Sequence, residues 1–340
     1  MQVNPLVYLD ATQVEHACRA LDPVRVVTKA FEAIMAGDAE VAPEAALRWT
    51  AADGTAARSL ALPARYGEAR GCKIINACIG NPRRGLPRAH GLILLFDPDT
   101  AMPVCVMDAA YISALRTAAV SVAALLAVRG SGMAGRHVAF VSCGKLARAH
   151  ADLLAAHLTI ERVSVHDAVE EHAAAFAAEL RQSIPATAVE VATSPEAAMR
   201  DAAVVVAATT TTLPYAELRW LAKGATFFNV SLDDATEEML TGCEHLFVDD
   251  WRLVSDDQTR LLGRLASRGM VTGPGSVPPP GARNVDAELP QLLCGGYRRS
   301  VMDEDRVVVN PFGMGVHDVA FAAHVYETAH AGGIGTWLAR

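Results

Sequence analysis

A chain of 340 residues, 51% of them hydrophobic, has the length for two domains and the apolar content to fill two cores. Its formal net charge is −8 and its basic runs stop at pairs such as Arg83-Arg84 and Arg298-Arg299, which argues against a nucleic-acid partner. No basic stretch leads into an apolar one at the N-terminus, and the longest strongly apolar run, 118–128, is about half a membrane span, so a cytoplasmic protein without a membrane partner is expected.

Asp10-Ala11-Thr12-Gln13 has the form of a capping box, and Asp22-Pro23 opens a second helix in which Val24, Val27, Phe31 and Ile34 share a face before Gly37. Residues 47–50, 59–62, 72–76, 92–96 and 104–107 read as strands, separated by turn formers such as Ala52-Asp53-Gly54 and Asp97-Pro98-Asp99-Thr100. This part is expected to be α+β with a mostly antiparallel sheet. Asp108 caps a long apolar helix through Val128 that carries Arg116, and strands then alternate with helices, which implies a parallel sheet. Its strands are predicted at 136–142, 163–167, 189–191, 204–208, 227–230 and 246–249. Residues 272–283 form a Pro- and Gly-rich loop, and a last helix, 318–331, is apolar nearly all round and is expected to pack back on the first domain.

Residues 136–167 are the centre of this pattern. The apolar run 136–142 enters the turn Ser142-Cys143-Gly144-Lys145-Leu146, a helical stripe follows, and a second strand ends in Asp167. A dinucleotide needs close backbone approach to its pyrophosphate at a helix N-terminus and an acid about 20 residues on for the ribose hydroxyls. Ser142 stands where the first glycine of that fingerprint belongs, so an ordinary crossover without a ligand remains an alternative. Asp167, with Glu170 and Glu171 behind it, would repel a 2′-phosphate, which favours NAD over NADP.

Seven cysteines without C-x-x-C spacing indicate neither a disulfide framework nor a zinc site, and the eleven histidines contain no H-E-x-x-H pair, so no metal is expected. Cys143 stands in the phosphate turn, where a helix N-terminus can lower a thiol pKa; packing is the plainer reading.

Several stretches recur in order: Arg48 in Leu-Arg-Trp, Lys73 in Gly-Cys-Lys-Ile-Ile-Asn, the segment 81–90, Ser113-Ala114-Leu115-Arg116-Thr117-Ala118-Ala119, the nucleotide turn, and Asn310-Pro311-Phe312-Gly313-Met314-Gly315 with Asp318-Val319-Ala320. Together they resemble the ornithine cyclodeaminase/mu-crystallin family over nearly the whole chain. Asn229-Val230-Ser231-Leu232-Asp233-Asp234 with Val248-Asp249-Asp250 resembles its 2,3-diaminopropionate-forming branch, while the Cys-Pro pair and lysine of the cyclodeaminases are missing at this place.

The resemblance implies a Rossmann-type doubly wound parallel sheet, 118–311, binding NAD, plus an α+β substrate and dimerisation domain, 1–117 completed by 312–340. It implies a homodimer and an NAD-dependent oxidation of a secondary-amine amino acid, N-(1-amino-1-carboxy-2-ethyl)-glutamate, to 2,3-diaminopropionate and 2-oxoglutarate for siderophore or peptide-antibiotic biosynthesis. An ornithine or lysine cyclodeaminase with internally recycled NAD, an imino-acid (ketimine) reductase and a non-catalytic ligand-binding protein are the alternatives.

Within that frame Arg48, Lys73 and Arg116 are implied to grip substrate carboxylates, since a guanidinium fixes a carboxylate's orientation. Arg48 read alone has a plainer alternative, a solvated surface arginine on a strand. Arg116 lies in so apolar a helix that a ligand or a carboxylate must answer it. The substrate amine must be unprotonated before hydride leaves, so a base is needed: Lys73 first, then Asp233 or Asp234, which otherwise cap a helix beginning near Ala235. Ser142, Cys143, Gly144, Lys145, Leu146, Asp167, Thr209, Thr210 and Ser231 are the expected cofactor contacts, although the threonines 209–212 also suit a plain polar loop. Asp318 is either a helix cap or a substrate contact.

Overall fold

In the computed structural model, which describes residues 5–130 and 136–339, Asp10 and Gln13 exchange both hydrogen bonds of the capping box and start the helix Ala11–Cys18. Asp22 accepts from the Arg25 amide at 3.0 Å, Pro23 occupies the first turn of Pro23–Ala36, and Gly37 ends that helix at φ 79°. The chain divides into two units, Met1–Arg116 with Met314–Arg340, and Thr117–Gly313.

Among the described residues the first unit builds an eight-stranded sheet. Thr336–Leu338, Leu6–Leu9, Pro103–Asp108, Ala89–Phe96, Ala69–Cys78, Ala56–Tyr66 and Ala39–Val41 lie side by side, and Ala45–Thr50 also pairs with Ala56–Tyr66. All pairings are antiparallel except Leu6–Leu9 with Pro103–Asp108. The strands Leu6–Leu9, Ala39–Val41 and Thr336–Leu338 are three or four residues long, too short for an alternation to show in the sequence.

The helix Gly315–Gly332 lies against this sheet, and glycines set how closely. A Cβ on Gly71 would stand 2.7 Å from the Leu94 carbonyl oxygen and 3.0 Å from Val319, and one on Gly315 would stand 2.7 Å from the Leu62 carbonyl oxygen. This helix begins a turn before the expected start. Met314 is its N-cap and Asp318 lies inside the first turn, so Asp318 is not a cap. Gly313 at φ 98° and Gly315 are poor helix formers, and they hid the start in the sequence.

The second unit is a parallel sheet. Ala188–Val191, Ile160–His166, Arg136–Val141, Val204–Ala207, Thr226–Asn229, Val307–Asn310, His245–Val248 and Ala287–Glu288 are neighbours in that order. Its central strands are buried on both faces, as four successive residues of Val204–Ala207 and of Thr226–Asn229 illustrate. Strand order reverses beside Arg136–Val141, the first strand in sequence, which makes the carboxyl ends of Arg136–Val141 and Val204–Ala207 a topological switch point.

Asp108 accepts from the Ala110 amide at 2.8 Å and leads into the helix Ala110–Arg129. At 20 residues this helix is longer than the run 118–128 and is long and apolar enough to cross a membrane, but most of it is buried inside the protein.

Candidate active site

In the first unit, Lys73 stands on the strand Ala69–Cys78 between Leu62 and Ile93 of the neighbouring strands. Its Nζ donates to Asp318 Oδ2 at 2.6 Å, and Arg116 Nε donates to Asp318 Oδ1 at 3.3 Å. Lys73 is 1% exposed and Asp318 0%. Two cations thus share one carboxylate that water does not reach, Arg116 being the member with some exposure, and the ion pair it makes with Asp318 runs through its Nε. Burial first, then the Arg116 charge, lower the Lys73 ammonium from 10.5 to about 8 against the opposing pull of Asp318 and Glu44. A buried lysine of this kind is poised to trade its proton near neutral pH.

His317, absent from the sequence reading, is fully buried beside Asp318. Its ring meets Phe31 edge-on at 4.6 Å, and neither ring nitrogen has a hydrogen-bond partner among the described residues. Burial, then the charges of Arg116 and Lys73, push its pKa down to about 3, so it adds no charge to the cluster. A histidine in a helix with apolar residues nearly all round gave no periodic signal that could single it out.

Arg48 is not in this cluster. It is exposed on Ala45–Thr50, directly across from Arg58, a second arginine that sequence reasoning passed over because only the register pairs them.

In the second unit, Ser142 follows the strand Arg136–Val141 with φ 82°, the left-handed region that the missing glycine would take freely. Its amide donates to the His166 carbonyl oxygen. The next amide, of Cys143, donates to Asp167 Oδ2 at 2.8 Å, and Asp167 Oδ1 accepts from the Val169 amide at 2.9 Å. The Asp167 carboxylate therefore braces the turn and its own strand end together. Gly144 is the N-cap of Lys145–His157, no side chain caps that helix, and a Cβ on Gly144 would meet only Ser142 Oγ at 4.0 Å. Such an open, positively polarised turn with an acid at the end of the neighbouring strand fits a dinucleotide. The Cys143 thiol is pushed up to about 12 by burial, then by Asp167, so the lowering that a helix N-terminus could give it does not occur.

The two aspartates offered as bases are otherwise engaged. Asp233 accepts from Arg260 Nη1 at 2.7 Å and from the Leu261 amide at 2.9 Å, at the start of Leu261–Ser267. Asp234 accepts from Thr209 Oγ1 at 2.6 Å and from Ser231 Oγ. Neither caps a helix near Ala235. The helix there is Glu237–Gly242, and Thr236 caps it, because the Asn229 side chain takes the Asp234 and Ala235 amides and holds that turn off the helix. Thr209 and Ser231 thus spend their hydroxyls on Asp234, Thr211 bonds to the Leu213 carbonyl oxygen, and Thr210 is exposed.

The family model of the ornithine cyclodeaminase/mu-crystallin family matches residues 6–333. N-((2S)-2-amino-2-carboxyethyl)-L-glutamate dehydrogenase of Staphylococcus aureus is 31% identical over 286 residues, 83% of this chain and 82% of the relative. Among solved structures, CmnK is 34% identical with a TM-score of 0.87, covering 99% of this chain and 98% of that one. An archaeal alanine dehydrogenase dimer with bound NAD superposes with a TM-score of 0.82 at 23% identity, over 98% of both chains, and this likeness is one of fold.

Proposed function

The chain belongs to the ornithine cyclodeaminase/mu-crystallin family, and from that premise we propose that it is an NAD-dependent dehydrogenase of a secondary-amine amino acid. The substrate we assign is N-(1-amino-1-carboxy-2-ethyl)-glutamate, oxidised at the glutamate carbon that bears the secondary amine and hydrolysed to 2-oxoglutarate and 2,3-diaminopropionate. The Staphylococcus aureus relative supports this choice over a cyclodeaminase or an imino-acid reductase.

The observation that carries the reading is the buried Lys73–Asp318–Arg116 cluster. With two cations and one carboxylate it holds a positive charge in excess when Lys73 is protonated, and a substrate carboxylate neutralises it. Arg116 presents its Nη groups to that carboxylate and fixes its orientation. Lys73, once neutral, takes the proton of the substrate's secondary ammonium, which frees the nitrogen lone pair to form the C=N bond as the hydride leaves. Asp318 then stabilises the Lys73 ammonium so formed.

NAD, when bound, supplies the hydride acceptor. The residues that would hold it are Ser142, Gly144, Lys145 and Leu146 at the pyrophosphate and Asp167 at the ribose, with Cys143 contributing packing. Thr209, Thr210 and Ser231 stand at the ends of the strands Val204–Ala207 and Thr226–Asn229, where ligands of such sheets gather.

The first unit's outer sheet face supports a homodimer. Tyr8, Val106, Leu94 and Cys72 fall in one cross-strand row and Leu92 and Ile74 in the next, and Tyr8 and Leu92 are each about two-fifths exposed. A second copy of this chain is the occupant we assign to it.

The deciding assay follows NADH with the glutamate conjugate, ornithine, lysine, alanine and proline as substrates. Net NADH with 2-oxoglutarate from the conjugate is the expected result. Ammonia release from ornithine or lysine without net NADH would replace this reading with a cyclodeaminase.

A further inference from the structure

Within the second unit, Cys143 lies one residue before the N-cap Gly144, so its carbonyl oxygen has no place in the ladder of the helix Lys145–His157. Arg148 supplies a donor for it. Its Nη1 donates to the Cys143 carbonyl oxygen at 2.5 Å, while its backbone amide donates to the Gly144 carbonyl oxygen at 3.2 Å. The rest of the guanidinium is fixed as well: Nε and Nη2 donate to Glu179 at 2.6 and 3.0 Å, and the group lies 5.3 Å from the centre of the Phe176 ring. Glu179 and Phe176 both belong to the helix Glu170–Ser183. A planar fork anchored on a neighbouring helix thus reaches back to one peptide of the nucleotide turn.

Three successive peptide planes of the turn are thereby pinned, each by one bond. The Ser142 amide donates to the His166 carbonyl oxygen at 2.8 Å, the Cys143 amide donates to Asp167 Oδ2 at 2.8 Å, and the plane joining Cys143 to Gly144 is held through its carbonyl by Arg148. The third plane is the one most easily turned. A peptide is planar and trans, so its carbonyl and its N–H point opposite ways. While Arg148 holds the Cys143 oxygen, the Gly144 N–H points away from it. A half-turn of the plane would exchange the two and carry Gly144 from φ −84° to positive φ, a region open to glycine and strained for other residues. It would also set an oxygen where an anion needs a donor.

We propose that Arg148 is a positioning residue for the dinucleotide: it locks the Cys143–Gly144 peptide so that the Gly144 N–H, and not the Cys143 carbonyl oxygen, is offered to the pyrophosphate. The lock rests on the assignment of that pyrophosphate to this turn. It also accounts for a defined turn with serine at the first fingerprint position, because a residue held at φ 82° persists where its neighbours over-determine the backbone.

The test is a cycle of Arg148→Met with Gly144→Ala, read as NAD affinity by calorimetry and as melting temperature without NAD. Arg148 and Glu179 are 38% and 53% exposed, so their ion pair adds little to stability, and Arg148→Met keeps an apolar stem beside Phe176 while removing every side-chain donor. A Cβ on Gly144 meets nothing nearer than Ser142 Oγ at 4.0 Å, so Gly144→Ala disfavours the turned plane without disturbing the native one. Any crowding of the phosphate by its methyl group is present with and without Arg148 and cancels. Arg148→Met is expected to weaken NAD about tenfold in the wild type and less than about threefold in the Gly144→Ala background, with the same small change in melting temperature in both. Arg148→Lys should recover part of the affinity, since it keeps a charged donor and loses the fork. An equal loss of affinity in both backgrounds, or none in either, overturns the lock. Gly144→Asp tests the assignment beneath it by placing a carboxylate at the N-cap, where it occupies the anion's place. A loss of about tenfold or more in Gly144→Asp without coupling in the cycle ends the lock alone. Wild-type affinity in Gly144→Asp takes the pyrophosphate, and the lock with it, away from this turn.

Discussion

Lys73 Nζ sits 2.6 Å from Asp318 Oδ2, and solvent reaches neither side chain. The pair joins residues 245 positions apart, so it is a product of the fold rather than of local sequence. If Lys73 is the base, Lys73→Met should abolish turnover of the glutamate conjugate while NAD affinity stays within about tenfold, roughly 1.4 kcal/mol. Asp318 keeps Arg116 as a partner in this variant, which limits the cost of removing one cation from a buried pair. Turnover close to that of the wild type would remove Lys73 from the chemistry.

The pH dependence follows from the same cluster. Lys73 must be neutral to act, and its pKa is drawn down to about 8, so kcat/KM is expected to rise through about pH 8 and level off above it. Asp318 opposes that lowering, so Asp318→Asn should move the limb to lower pH in the activity that remains. The effect on stability has the same direction. Between about pH 8 and 10.5 the unfolded chain holds the lysine proton and the native chain does not, so this group favours the native state increasingly as pH rises through that window. Below it both states are protonated and the slope vanishes. A limb unchanged by Asp318→Asn would show that another group titrates.

Much of the fold was legible because its signals are local: the capping box at Asp10, the Asp22-Pro23 start, the β-branched runs of the parallel sheet and the strand, turn and helix around Ser142 each lie within one short window. Arg116 in an apolar helix demanded an answering charge, and Asp318 is that charge. The partners of a site were less legible. That Lys73 meets Asp318 depends on two glycines letting a helix approach a sheet, and that Arg48 faces Arg58 depends on a hairpin register. Asp233 looked like a base or a cap from its neighbours, whereas its partners Arg260 and Leu261 come from more than 25 positions away.

The two duties we assign to Asp167 can be separated. Its carboxylate takes the Cys143 and Val169 amides, and we propose that its negative charge also disfavours a 2′-phosphate. Asp167→Asn keeps an acceptor oxygen for the turn and removes the charge. The ratio of kcat/KM for NAD to that for NADP is therefore expected to fall at least about tenfold, or ~1.4 kcal/mol, with little change in melting temperature. Asp167→Ala should lower both, because the two amides lose their acceptor. An unchanged cofactor ratio in both variants would remove Asp167 from cofactor choice.

The outer sheet face offers a test of assembly. Leu92 is 41% exposed and lies beside Ile74 across the strand pair, so an aspartate there can be solvated in a monomer but not in an apolar interface. If the wild type sediments as the proposed dimer, Leu92→Asp is expected to sediment as a monomer while the far-ultraviolet dichroism stays the same. A wild type that is already monomeric, or a variant that still dimerises, would place the interface elsewhere.

Ser142 gives the sharpest test of whether the nucleotide turn is an intact device. A serine at φ 82° carries the strain of a Cβ in the left-handed region, of order 1–2 kcal/mol, where glycine carries none. Glycine also loses more backbone entropy on folding, which offsets part of that gain. Ser142→Gly should therefore raise stability by a net of roughly 0.5–1 kcal/mol, read as a small increase in melting temperature. Its effect on NAD separates two roles for the hydroxyl. If Ser142 only replaces glycine, removing its side chain leaves affinity equal or tighter, because backbone approach to the pyrophosphate is freer. If Ser142 Oγ, the one atom within 4.0 Å of a Cβ placed on Gly144, donates to the phosphate, affinity falls although stability rises. Opposite signs in the two measurements would mark the serine as a ligand-binding substitution in the turn, and like signs as a strained stand-in for glycine.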